Sequence, residues 1–376
     1  MIIFYDKNGH QMDSITFIEL QWNRKYSECG SFSIYCAAGD WNFDIKYLMN
    51  SDRRETAIVQ KIVFEKKTEG NFITASGFFL EKVLSWGCNY EPVTLTASTA
   101  AGVKNAITDL MKSDFGSNSS YKQLSEVSFS EDAVFPESIN QSLDPGTDFA
   151  AVLYDLLHES GMSFWCEPVF HDDENEPLIG VIIHTYKGID RKDSVFFSEG
   201  YNDVSDVSYT LDESAEYPLY GVMQEVQAAS GFDGVISVQT KEGVKYYIRE
   251  TIAVDTNCPS GLGACWPLKV ITGSVSGMEM VSANQQAIRD AMKQQATVDM
   301  LNHYKIETIT ANVIQETFFY LKDYDLGDTC TVILDDLKQM FVARIAEIEE
   351  VHRNNMEEIT LTLGTPQKTK YRAIRV

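Results

Sequence analysis

Period-two alternation of apolar side chains, broken by turn residues, constrains this chain more than any other pattern in it. Ile18, Leu20 and Trp22 alternate, and so do Phe32, Ile34 and Cys36. Each run offers one face to a core and the other to water, as a half-buried strand does. Asn8-Gly9 after Ile2–Tyr5 supplies the positive-φ pair of a tight hairpin. A second hairpin is expected where 56–64 and 72–80 flank Lys66-Lys-Thr-Glu-Gly-Asn71. The first 95 residues therefore predict a β-barrel or sandwich without helix signals.

The texture changes at Ser98. Val103, Ile107, Leu110 and Met111 fall at helical spacing over 99–115, with Ser98 or Thr99 as cap and Gly116 as stop. A second helix is expected over 148–160, after Asp144-Pro145 and ending at Gly161. Strands follow at 162–168 and 178–186, joined by an acidic loop that holds Asp172, Asp173, Glu174 and Glu176. Residues 195–280 return to strands. A long helix beginning near Ser282 has Gln285 placed for a capping box. Three strands over 309–321, 329–334 and 341–351 and a short fourth at 359–363 close the chain. The class is mainly β with α+β insertions, in four parts: 1–95, 96–193, 194–280 and 281–376.

With 55 acidic against 31 basic residues, the formal charge of −24 argues against sequence-specific nucleic-acid binding. Seven cysteines scattered over the length, with six residues between Cys29 and Cys36 and between Cys258 and Cys265, do not match zinc spacing. Reduced, buried thiols in a protein made in a cytoplasm are the expectation. The N-terminus lacks a basic start and a small-residue cleavage site, and no apolar run reaches the length of a spanning helix.

Asp323, Asp325 and Asp328 suggest a calcium loop, but the spacing departs from the EF-hand and no glutamate stands at the twelfth place. A turn in which Gly327 takes the unusual φ is preferred. The six histidines do not pair at ligand spacing, and Gly-x-Ser-x-Gly and a Walker loop are absent. No catalytic residue, metal or cofactor is expected. Between Lys192 and Lys241 there is no base, while nine acids fall inside. Conversely, the tail after Gly364 holds Lys368, Lys370, Arg372 and Arg375 and no acid.

Several segments, in order, resemble the phage tail-hub family, siphophage tail-tip proteins related to the hub of contractile tails. Phe17-Ile-Glu-Leu-Gln-Trp-Asn-Arg24 with Cys29-Gly-Ser-Phe-Ser-Ile34 is similar to the family's opening, and Gly77–Leu84 to the end of its first β domain. Phe149–Leu157 with Ser160–Phe164 resembles its middle helix and strand. Tyr186-Lys-Gly-Ile-Asp-Arg191 with Val195-Phe-Phe-Ser198 resembles a Gly-x-Asp-Arg, then Phe-Ser, run. The C-terminal order is also similar: a helix over 282–304, Asp323–Asp328, Val342–Glu350 and Ile359–Gly364. Trp86 stands where an arginine is usual, and Tyr217-Pro-Leu-Tyr220 replaces an asparagine-bearing segment.

The resemblance implies tube-like β-barrel domains plus a small α+β domain, with 1–95 packing against the C-terminal strands. It implies a homotrimeric structural hub of a phage or prophage tail tip or baseplate, a virion protein made in the bacterial host cytoplasm. Such a ring continues the tail tube and meets a distal tail protein, tape measure and receptor-binding or fibre proteins. Relatives often carry a fibre or peptidoglycan-cleaving domain, for which a chain ending at Val376 leaves no room. Asp203, Asp206, Asp212, Glu213 and Glu216 are then expected to face the channel lumen, where a like-charged wall keeps DNA from adhering. A carbohydrate- or receptor-binding tail module, stacking on some of the 18 Tyr and 5 Trp, is the alternative. A tail-associated lysin is a third, disfavoured by the missing catalytic motifs.

Overall fold

The computed structural model describes residues 1–115, 124, 126–143, 145–170, 178–212, 219–227, 235–241, 244–254, 268–272, 306–353 and 356–365. The expected helix over 282–304, the acidic loop at 172–176, Gly116, Cys258, Cys265 and the basic tail lie outside them. Two compact units are distinguished: Met1–Tyr209 with Thr308–Val376, and Thr210–Glu307.

In the first unit, β1 (Ile2–Tyr5) and β2 (Gln11–Met12) pair across a loop closed by Asp6. The Asp6 carboxylate accepts the N–H groups of Asn8 and His10, and Gly9 takes φ +85°. β3 (Glu19–Lys25) and β4 (Ser31–Ala37) alternate strictly, burying Leu20, Trp22, Phe32, Ile34 and Cys36. β5 (Tyr47–Asn50), β6 (Thr56–Lys67) and β7 (Gly70–Phe79) extend the same sheet. A 3-10 turn over Leu80–Trp86, not expected from the alternation, follows directly.

The α+β portion begins with β8 (Val93–Ala97) and α1 (Ala100–Lys112). The Thr99 hydroxyl caps α1 by accepting the Gly102 N–H, and the apolar stripe from Val103 to Met111 is buried. β9 (Glu126–Phe129) and β10 (Ile139–Leu143) precede α2 (Phe149–Glu159). α2 is capped by Asp148, which accepts two N–H groups, and ends at Gly161 with φ +66°. β11 (Met162–Phe170) and β12 (Leu178–Lys187) form an antiparallel pair that β9 joins in parallel. β13 (Phe196–Ser198) and β14 (Val204–Asp212) follow.

The second unit contains β15 (Leu219–Gln227), β16 (Val235–Lys241), β17 (Val244–Val254) and β18 (Leu268–Thr272), ordered β16-β17-β15-β18. β19 (Ile306–Val313), β20 (Thr329–Leu334), β21 (Gln339–Arg353) and β22 (Met356–Thr365) complete the described strands.

One sheet runs β14-β19-β22-β21-β3-β4-β7-β6-β5-β1-β2, with β20 on β21 and β13 on β20. β21 pairs antiparallel with β3 from Glu347↔Lys25 to Arg353↔Glu19. Among the described strands the sheet does not close on itself, and its long, largely antiparallel path is consistent with the tube-like β-barrel expected from the sequence. The strand expected over 309–321 needs correction. β19 ends at Val313 and the chain turns, with Leu321 at φ +65°. Side-chain bonds from this turn to the buried groups described next outweigh its apolar strand pattern.

Candidate functional site

The inward positions of β3 run Leu20, Trp22, Arg24, so a guanidinium stands where the pattern calls for an apolar side chain. Arg24 is 1% exposed. Its Nε donates to Glu55 Oε1 at 2.9 Å, and its Nη1 donates to Asp325 Oδ1 and to the Tyr320 hydroxyl, each at 2.6 Å. A buried cation is tolerated only when its donors are met in this way. Arg54 also bonds Asp325 and lies over the Tyr186 ring at 4.1 Å. Burial alone would raise the Asp325 carboxyl, but Arg24 and Arg54 outweigh it and hold the pKa below the usual value.

Glu350 repeats the arrangement from β21. It is fully buried, takes a two-pronged bond from Arg53 at 2.8 and 2.7 Å, and accepts the Tyr320 hydroxyl at 2.7 Å. Burial would again raise its pKa. The His352 ring at 3.5 Å, Arg53 and Tyr320 more than cancel this and hold it down to about 2. Tyr320 thus joins the Arg24 and Arg53 clusters, with the Arg53 guanidinium over its ring at 4.8 Å.

The turn Asp325-Leu-Gly-Asp328 locks onto Gly188-Ile-Asp-Arg191. Asp328 is 3% exposed; its carboxylate accepts the Ile189 N–H at 2.7 Å, Arg191 Nε at 2.6 Å and the Asp325 N–H at 3.1 Å. A Cβ on Gly188 would lie 1.8 Å from the Gly327 carbonyl oxygen, and one on Gly327 2.1 Å from the Tyr26 ring. Gly327 takes φ +93°, the left-handed turn expected there. The Tyr26 hydroxyl donates to the Gly161 carbonyl at 2.8 Å and accepts the Gly188 N–H at 3.3 Å. Gly161, Gly188 and Gly327, distant from one another in the sequence, meet at the Tyr26 phenol. With the Asp325 and Asp328 oxygens facing guanidinium and amide donors, this turn is a clamp between segments rather than a cation loop.

Beside the clamp lies a cleft of about 510 Å³ lined by Phe4, Leu20, Tyr320, Arg53, His352 and Glu357, among others. Glu350, His352 and Glu357 bring ligand atoms within 4.8 Å of one another. The Arg53 guanidinium already reaches both carboxylates, at 2.7 and 3.5 Å, so a divalent cation would meet a fixed positive charge. The donor set does not fit a metal. Nor does it suit acid–base work, which needs a group titrating near the operating pH and in reach of a substrate. Glu350 is buried, paired and far from that range.

Of the acids expected to line a lumen, the structure places three on or beside β14. Asp203 requires correction: it is 3% exposed and offers no charge to a surface. Its backbone N–H bonds the Ser198 carbonyl, and its own carbonyl accepts the Ile314 N–H, which draws it inward. Asp206 is exposed, takes φ +51°, and accepts hydrogen bonds from Asn312 and Ser205. Asp212 ends β14, half-buried. Glu213 and Glu216 lie outside the described residues. Sequence reasoning missed Arg24, Arg53, Glu55, Tyr320 and Glu350. The available signal was a charge at an inward position of an alternating strand: Arg24 after Leu20 and Trp22, and Glu350 after Ile348.

Among the described residues no helix is long and apolar enough to cross a membrane. A family model described as Siphovirus ReqiPepy6 Gp37-like protein matches residues 3–365. No curated protein matches the chain. Among solved structures, a tail protein of Neisseria meningitidis MC58 is similar, at 12% identity and TM-score 0.54, covering 96% of this chain and 95% of that one. The 43 kDa tail protein of prophage MuSo2 from Shewanella oneidensis matches at 12% identity and TM-score 0.50, covering 97% and 98%. The prophage tail protein gp18 of Listeria monocytogenes EGD-e matches at 14% identity and TM-score 0.50, covering 96% and 94%.

Proposed function

The chain belongs to the Siphovirus ReqiPepy6 Gp37-like protein family, and from that membership we propose that it is a structural hub of a phage or prophage tail tip. Three copies form a ring that continues the tail tube and docks the adsorption apparatus. In this reading the ring-forming body combines 1–95 with 281–376, and 96–193 and 194–280 are the remaining domains. The observation that carries it is the junction of β3 with β21. Distant segments complete one sheet and are clamped by buried ion pairs.

The protein acts by geometry and has no turnover of its own. The buried Glu55, Asp328 and Glu350 are committed to arginines, and the protein's function is to present a channel wall and docking surfaces. Asp206, Asp212, Glu213 and Glu216 contribute to that wall and Asp203 does not. The partners are the tail tube or distal tail protein, the tape measure and receptor-binding proteins, within the virion tail. Electron microscopy of particles carrying a label on this protein tests the reading. A threefold density at the tail tip is expected; label along the shaft, on the head or on a peripheral fibre would overturn it.

A further inference from the structure

The 3-10 turn over Leu80–Trp86 joins the large sheet to the α+β portion. It packs against β6 and β7 of the sheet and against α2 and β11 of the α+β portion. Leu80, Val83 and Leu84 are buried at this joint, as a segment covered by both bodies requires. Glu81 is buried with them, 3% exposed, and belongs to neither arginine cluster.

The Glu81 carboxyl is held without a counter-charge. Its Oε1 accepts the Cys166 N–H from β11 at 3.4 Å, its Oε2 has no partner, and among the described residues neither oxygen meets a cation. The titratable groups around it are Glu55 ahead of β6, Arg24 on β3, Cys29 ahead of β4, Tyr154 on α2 and Cys166 on β11. β7 carries none. Arg24 is the base in this set, and its donors already go to Glu55, Tyr320 and Asp325. Lys82, the base on the turn itself, has its ammonium over the Phe78 ring at 5.7 Å.

Glu55 is buried as well, and its Oε2 is also without a partner. An ionised Glu81 would therefore add a second negative charge beside Glu55 in a dry interior, with no cation of its own. The neutral acid avoids that cost and leaves the bond to β11 intact. Once the turn leaves its seat, water solvates the carboxylate and the proton is no longer held.

We infer that the 3-10 turn is a proton-held joint: neutral Glu81 keeps it seated between the sheet and β11, and loss of that proton opens the joint while the rest of the chain stays folded. The device is independent of the hub reading, because both bodies and the turn belong to one chain.

Two buried thiols report on it. Cys166 lies in the joint and Cys330 in the separate core around β20, and each is 0% exposed. The test is alkylation of the folded full chain by iodoacetamide, with the rate at each cysteine read by peptide mass spectrometry. Cys166 is expected to react at least about tenfold faster than Cys330, since the joint opens without global unfolding. The ratio of the native Cys166 rate to that in Glu81→Gln should rise about tenfold per pH unit between about pH 5 and 8, because the open joint has released a proton that the closed one keeps. Equal rates at the two cysteines would overturn the separate opening, and a ratio flat with pH would overturn the role of the proton. If Glu81→Gln does not fold, the native Cys166 rate divided by that of a free cysteine peptide at each pH gives the same slope and decides in the same way.

Discussion

Arg24 and Asp325 stand 301 positions apart in the sequence and meet at 2.6 Å in the interior. The bond ties β3 to the turn before β20, and Glu55 and Tyr320 satisfy the remaining reach of the same guanidinium. A side chain that looks like a local misfit in a strand is therefore the fastening between two ends of the chain.

Replacing Arg24 with Met leaves the buried Glu55 without its cation and Asp325 with Arg54 alone. The expected loss is about 3–5 kcal/mol of unfolding free energy, read from chemical denaturation. Arg353→Ala is the control. Arg353 bonds Glu19 at the surface and is 58% exposed, so its loss should cost under about 1 kcal/mol.

Acid should unfold the protein through the clamp. Glu350 has a folded pKa of about 2 against an ordinary 4.5. A depressed folded pKa gives stability that is fully present above the unfolded value and lost as pH falls through the folded one. The window is pH 4.5 down to 2, and Asp325 adds to it in the same direction. Melting curves across this range should steepen for the native chain and flatten for Glu350→Gln.

Glu81 should act with the opposite sign. Burial, and then the neighbouring Glu55, push its carboxyl up to about 8. The folded state holds a proton that the unfolded chain has released, so stability declines as pH rises from 4.5 to 8. Glu81→Gln should raise the melting temperature at pH 8 more than at pH 5. An equal rise at both would mean the carboxyl is not neutral in the fold.

Gly188→Ala forces a methyl onto the Gly327 carbonyl, 1.8 Å away, where backbone faces backbone. A loss of about 3 kcal/mol or more is expected in denaturation, together with faster proteolysis near 186–191 and 325–328. Gly39→Ala, with open space around the position, should change little.

Neutralising Asp206, Asp212, Glu213 and Glu216 to Asn and Gln should leave tails assembled but slow genome release, as measured by DNA ejection from purified particles. Normal ejection would make the stretch an ordinary solvated face.

The alternation of Leu20 with Trp22 and of Phe32 with Ile34 is enough to write β3 and β4, because each inward side chain loses water whichever partner it finds. Thr99 and Asp148 likewise announce their helices, since a cap acts on amides two or three residues away. These are local effects, and the sequence carries them whole. The meeting of Arg24 with Asp325 has no local cause. Burying a guanidinium is unfavourable until carboxylates from elsewhere converge on it, and only the pairing of β3 with β21 brings them there. The same holds for Asp203, an acid that reads as surface charge until backbone bonds to Ser198 and Ile314 draw it inside. It holds for Gly188, whose missing Cβ matters only once Gly327 arrives against it. What the chain determined by itself is its alternating strands, such as β3 and β4, and its helix caps; which charges are buried, and what they fasten, was decided by long-range pairing.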